Sequence, residues 1–199
     1  MINTDIVIEI TGACIGLVYL LLEYKASSWL WVFGILMPLC YVFIFFQQGI
    51  YANMLLNIYY VGANIYGLLV WKQVISAGKH QEKKISSMPK SYRIPAIVLT
   101  LILTAGISYL LYLFHESDIF ILDGLTAAVS ITGLWMLTKK YYQEWICWII
   151  VNPIMIWLAL SQKMYPTAVL YTAYSVISIM GYFNWKNMHR NDENSKQTA

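Results

Sequence analysis

Seven apolar stretches, at roughly 6–24, 29–47, 51–73, 94–114, 119–138, 144–161 and 165–185, take up most of this chain. Each approaches the ~20 residues that a helix needs to cross a bilayer. In hydrocarbon every backbone polar group must find its partner within the protein, so spans of this kind are predicted to be α-helices. Only 12% of the 199 residues are charged. A soluble domain has about a quarter, so the composition excludes a water-facing surface over most of the chain. The net charge of +3 is too small for a nucleic-acid binder of this size. The first stretch lacks a basic leading segment and a small-residue cleavage site, so it is expected to remain in the mature protein.

Basic residues set the predicted orientation. With the N-terminus outside, the inner segments hold Lys25, Lys72, Lys79, Lys83, Lys84, Lys90, Arg93, Lys139, Lys140, Lys186, Arg190 and Lys196, and only Lys163 falls outside. The positive-inside rule therefore favours an N-out, C-in arrangement of seven spans. The basic loop of 74–93 serves such a topology, or it meets anionic headgroups.

The chain also repeats itself. Sliding it by 114 positions aligns Glu9 with Asp123, Lys25 with Lys139, Trp31 with Trp145, Tyr60 with Tyr174, and Gly67 through Trp71-Lys72 with Gly181 through Trp185-Lys186. One ungapped offset that matches tryptophans and glycines across three helices points to duplication. Three helices reverse direction, so a fourth crossing is needed before the second triplet can re-enter in the same sense. The expected plan is 3+1+3: a first repeat over 1–73, the basic loop 74–93, a linker helix over 94–114, a second repeat over 119–185 and a tail over 186–199. Transporters built from repeats hold their substrate near the midplane where the repeats meet, whereas a duplication kept only for packing has no such site.

The chemistry of the spans argues against catalysis. His80, His115 and His189 all fall outside the spans, and Cys14, Cys40 and Cys147 sit in apolar runs without metal-ligand spacing. There is no phosphate-binding glycine loop, so neither a metal nor a nucleotide cofactor is expected. Glu9, Asp123, Glu23 and Glu144 lie near span ends, as interfacial anchors would, and none sits at mid-membrane where an ion relay is expected. A membrane-embedded enzyme would instead depend on a titratable residue such as Glu9 or Asp123.

The midspans offer amides and flat rings. Asn57, Tyr60 and Asn64 are spaced i, i+3, i+7, and so are Trp145, Trp148 and Asn152. Trp31, Tyr171 and Tyr174 add further rings. Such rows suit a planar, cationic, hydroxyl-bearing substrate, which rings sandwich and amides hydrogen-bond. The same rows would also glue helices together. Trp71 and Trp185 end equivalent helices and are candidates for a gate or an aromatic belt, and Gly67 and Gly181, one turn earlier, allow bending or close packing.

The stretches FGILMPLCYVFIFFQQGIYANMLLNIYYVGANIYGLLVW (33–71) and LDGLTAAVSITGLWMLTKKYYQEWICWIIVNPIMIWLALSQKMYPTAVLYTAYSVISIMGYFNW (122–185) resemble the PnuC family of bacterial vitamin transporters. The matches include Phe33-Gly34, Tyr51-Ala52, Ala63 through Gly67, Asp123, Ser130, Lys139-Lys140, Trp145, Trp148 and Asn152. The resemblance implies a fold similar to the SWEET sugar carriers, a homotrimer in the bacterial inner membrane, and uniport of nicotinamide riboside. It also implies a cytosolic kinase that traps the cargo by phosphorylation. Trp145, Trp148 and Asn152 match the family's substrate-facing motif. Departures fall at Met37, where the family carries Asn, at Asn57, where it carries Gln, and at Glu144, where it often carries Asn. Relatives that carry thiamine or, less suitably, the neutral riboflavin remain the alternatives.

Overall fold

The structure is a computed structural model that describes residues 15–48, 51–72, 83–114, 119–161 and 163–197. Glu9, Lys79, His80 and His115 lie outside the described residues, as does the side chain of Met37. Among the described residues seven helices follow in order: α1 (Ile15–Tyr24), α2 (Trp29–Gln48), α3 (Tyr51–Trp71), α4 (Lys90–Leu113), α5 (Phe120–Thr138), α6 (Glu144–Ser161) and α7 (Tyr165–Gln197). Three of them, α4, α5 and α6, are long and apolar enough to cross a membrane. Ile94, Ile97, Leu101 and Ile102 of α4 all face outward, a surface suited to lipid rather than water.

Two boundaries differ from the sequence-based expectation. α4 begins at Lys90 rather than 94, directly after Pro89, whose own ψ of 141° is extended rather than helical. α7 runs on to Gln197 instead of ending near 185. Residues 186–197 contain neither Gly nor Pro and include strong helix formers such as Lys186, Met188, Arg190 and Glu193, so nothing stops the helix where the apolar span stops.

The described chain divides into two compact units, at 15–84 and from 85 onward. In the first, α2 packs on α3. In the second, α4 packs on α5, α5 on α6 and α6 on α7. Small residues let α4 and α5 close on each other: Gly124 lies against the side chain of Ser108 with no room for a Cβ. The hydroxyls of Thr100 and Thr132 meet at 2.7 Å across the same pair. The segment before α4 is stitched to the α5–α6 turn. Ser86 N donates to Lys140 O at 2.9 Å, Tyr142 N to Ser86 O at 3.2 Å, and Met88 N to Gln143 Oε1 at 3.0 Å. Met88 thereby enters a core with Ala96, Val129, Met136, Cys147 and Val151.

The duplication reaches down to single hydrogen bonds. α1 ends with Ala26 at φ 52°, and α5 ends with Lys140 at φ 54°, at equivalent positions. At the first, Ser27 N donates to Leu22 O (2.9 Å) and Ala26 N to Glu23 O (2.8 Å). At the second, Tyr141 N donates to Met136 O (3.1 Å) and Lys140 N to Leu137 O (2.9 Å). Both are Schellman closures, which satisfy the last carbonyls of a helix through one left-handed residue. The left-handed conformation costs a non-glycine residue about 1–2 kcal/mol. Glycine is free of that cost but loses more entropy on folding. Ala26→Gly is therefore expected to stabilise the chain by roughly 0.5–1 kcal/mol. Thermal unfolding in detergent checks this, and a lowered midpoint would contradict the assigned turn.

Candidate functional site

Each unit contains the same tryptophan clasp. Trp31 of α2 meets Trp71 of α3 edge to face, with ring centroids 5.4 Å apart and planes at 86°. Trp145 of α6 meets Trp185 of α7 at 5.8 Å and 84°. Gly67 and Gly181 provide the space. A Cβ on Gly67 would overlap the six-membered ring of Trp31, and one on Gly181 would come within 2.6 Å of Trp145 Cδ2. All four tryptophans are 0% exposed. Edge-to-face pairs of this kind contribute about 0.5–1.5 kcal/mol beyond their burial. The indole N–H of Trp31 and that of Trp145 are both buried without a hydrogen-bond partner, again at equivalent positions.

In this structure Trp31, Trp71, Trp145 and Trp185 are buried and brace the helix pairs. Of the two functions considered for Gly67 and Gly181, the geometry is that of close packing.

The amide and tyrosine rows lie one helix turn away from the clasps and repeat in altered form. In α3, Asn57 is half-buried, Tyr60 is 39% exposed and Asn64 is buried. Asn64 Nδ2 donates to the carbonyl of Tyr60 at 2.8 Å, while its Oδ1 occupies the space left by the missing side chain of Gly34. In α7 the equivalent positions are Tyr171, Tyr174 and Ser178. The two rings meet edge to face at 5.7 Å, and Ser178 Oγ donates to the carbonyl of Tyr174 at 2.7 Å. The same hydroxyl accepts from Asn152 Nδ2 of α6 at 3.1 Å. The structure thus joins Asn152 to Tyr174 through Ser178, a residue the sequence reading omitted although it stands at the repeat position of Asn64.

Hydrogen bonds between membrane helices average only about 0.6 kcal/mol. A double-mutant cycle of Asn152→Ala and Ser178→Ala is expected to give a coupling of that order. A coupling of zero in thermal unfolding would show the two side chains to be independent.

Trp148 differs from the clasp tryptophans. It is half-buried, and its Nε1 donates to Glu144 Oε2 at 2.7 Å, one turn back on α6. Glu144 itself is 0% exposed. A hydrogen bond of this length fixes the indole plane and leaves the ring beside a buried acid. A Cβ added at Gly133 of α5 would lie 3.6 Å from Trp148 Cζ2. Asn152 follows at the next turn. The i, i+4 spacing of Glu144 and Trp148 is the signal in the sequence, where Glu144 was read as an interfacial anchor.

The chain matches the family model described as nicotinamide mononucleotide transporter over residues 6–187. It is 24% identical over 195 residues to the nicotinamide riboside transporter PnuC of Neisseria mucosa, covering 94% of this chain and 74% of that one. The Escherichia coli nicotinamide riboside transporter PnuC is 25% identical over 206 residues, covering 92% and 86%. A crystal structure of the vitamin B3 transporter PnuC superposes with a TM-score of 0.72 at 24% identity, over 95% of this chain and 84% of that chain. These relatives are transporters and not enzymes, and the apolar helices make this chain a multi-pass membrane protein like them. The match over nearly its full length shows that the chain belongs to the nicotinamide mononucleotide transporter family.

Proposed function

We propose that the chain carries nicotinamide riboside across the bacterial inner membrane by facilitated diffusion, and that a cytosolic kinase retains the cargo by phosphorylating it. The bond from Trp148 to the buried Glu144 carries this reading. An indole whose plane is fixed beside a carboxylate, with the amide of Asn152 one turn on, suits a flat cation with polar substituents. The family description names a mononucleotide and the curated relatives' names a riboside, which differ by one phosphate. Among the described residues the rows contain amides, tyrosines and tryptophans but no Lys or Arg to meet a phosphate dianion. The unphosphorylated riboside fits them better.

In this proposal Trp145, Trp148, Asn152, Tyr171 and Tyr174 are the cargo-facing residues of the second unit, and Trp31, Asn57, Tyr60 and Asn64 are those of the first. Trp71 and Trp185 are the gate residues. The chain is read as N-out and C-in, with its triplets arranged 3+1+3 as in SWEET carriers and three copies assembled. Downhill transport is supported by the described carboxylates of the apolar stretches: Glu23, Asp123 and Glu144 all lie within a turn of a helix end. Calorimetric titration of the purified chain with nicotinamide riboside, thiamine and riboflavin tests the cargo. Selective binding of the riboside is expected. Selective binding of thiamine would mean that Glu144 and Asn57 mark a pocket tuned to another cation.

A further inference from the structure

Past Trp185, α7 leaves its apolar stretch and continues as a polar helix. Lys186, His189 and Arg190, at i, i+3 and i+4, share one face of it. That face is met by Ser87 from the segment before α4 and by Tyr142 from the α5–α6 turn, and with Asn187 these residues line a cavity of about 410 Å³. The hydroxyl wall is held in place from behind. Ser87 Oγ accepts from Gln143 Nε2 at 2.9 Å and reaches the Tyr142 hydroxyl at 3.4 Å. The Tyr142 ring packs on Tyr182 at 5.7 Å and on His189 at 5.8 Å.

The charge in the cavity is unbalanced. Its one carboxylate, Glu193, is engaged by His189 Nε2 at 3.4 Å. Among the described residues neither Lys186 nor Arg190 has a carboxylate partner, and Lys186 Nζ rests over the ring of Tyr182 at 5.7 Å. Lys186 and Arg190 thus outnumber the one carboxylate, and two hydroxyls and an amide complete the lining of the recess. A guanidinium fork beside an ammonium matches the several oxygens of a phosphate better than a single carboxylate. The recess begins at Lys186, where α7 passes from its apolar stretch to its polar one, and basic residues that flank an apolar span attract anionic headgroups.

We propose that this cavity binds a phosphate group, with Arg190 and Lys186 as its charged contacts and Ser87, Tyr142 and Asn187 as its neutral ones. Its source is either the phosphodiester of an anionic lipid or a free phosphate. The site is separate from the amide and tyrosine rows and stands independently of the cargo proposed above.

The test uses the full chain, purified in detergent and stripped of lipid, with thermal unfolding followed as each probe is titrated. Inorganic phosphate is compared with chloride at equal ionic strength, and dioctanoyl phosphatidylglycerol with dioctanoylglycerol. A saturable rise in the midpoint is expected in at least one arm. Protection by inorganic phosphate assigns a free phosphate, and protection by the phospholipid alone assigns a headgroup. Arg190→Gln and Lys186→Gln are each expected to weaken binding at least tenfold, while Lys163→Gln, at the far end of α7, leaves it unchanged. Arg190→Lys, which keeps the charge and loses the fork, is expected to fall between, and serves if Arg190→Gln does not fold. The proposal is overturned by no saturable shift in either arm, by an equal shift with chloride and with dioctanoylglycerol, or by undiminished binding in the Arg190→Gln/Lys186→Gln pair.

Discussion

Trp148→Ala is expected to abolish uptake of nicotinamide riboside while the chain still reaches the membrane. A desolvated cation–π contact contributes about 2 kcal/mol or more. Its loss alone lowers affinity roughly 30-fold. Glu144→Gln separates the two elements of the pair. Glutamine keeps an acceptor for the indole N–H at the position that now holds Glu144 Oε2, 2.7 Å from Trp148 Nε1, but removes the charge. Uptake of the cationic riboside should weaken several-fold, with little change in thermal stability. Glu144→Ala removes the acceptor as well, releases the ring and should approach Trp148→Ala in effect. Initial uptake rates in cells without a transporter of their own measure all three. Full activity in Trp148→Ala would remove this tryptophan from the site, and equal losses in Glu144→Gln and Glu144→Ala would mean that charge alone matters.

Gly67→Ala and Gly181→Ala are each expected to destabilise the chain strongly. Each new Cβ would overlap an indole that is 0% exposed and braced by a second tryptophan, so the ring has nowhere to move. Overpacking of this kind typically costs about 1–3 kcal/mol. The two substitutions should cost similar amounts because the two clasps are built alike. Gly62→Ala and Gly106→Ala provide the contrast, since a Cβ at either position meets nothing within 4 Å. Those changes should leave stability unchanged or raise it slightly through helix propensity. Thermal unfolding of the four variants in one detergent checks the pattern. Tolerance of Gly181→Ala would show that the α6–α7 clasp is looser than described.

Much of this architecture was legible before any coordinates. Segments of about 20 apolar residues leave little choice but helices in a membrane, and the offset that pairs Trp31 with Trp145 and Gly67 with Gly181 put the residues of the two clasps at equivalent positions without revealing the clasps. What periodicity could not reveal was which side of the helix faces a neighbour. In a helix that is apolar all round, a fully buried tryptophan and a half-buried one look alike, so the sequence does not separate Trp31 and Trp145 from Trp148. The turns at Ala26 and Lys140 were invisible for a different reason: neither carries the glycine or asparagine that normally marks a left-handed closure. Glu144 was visible as an acid near a helix end, but only its 2.7 Å bond to Trp148 distinguishes a tether from an anchor. The polar continuation of α7 was expected only as a tail, because the hydropathy that marks a span says nothing about a helix that outlasts it.

The most direct test of the central claim is uptake of labelled nicotinamide riboside by the purified chain in sealed vesicles that contain no kinase. The account predicts that riboside enters until its concentrations inside and outside are equal, that an uncoupler changes neither the rate nor the end point, and that thiamine and riboflavin compete poorly. Accumulation above the outside concentration, arrest by the uncoupler, or preference for thiamine would contradict it.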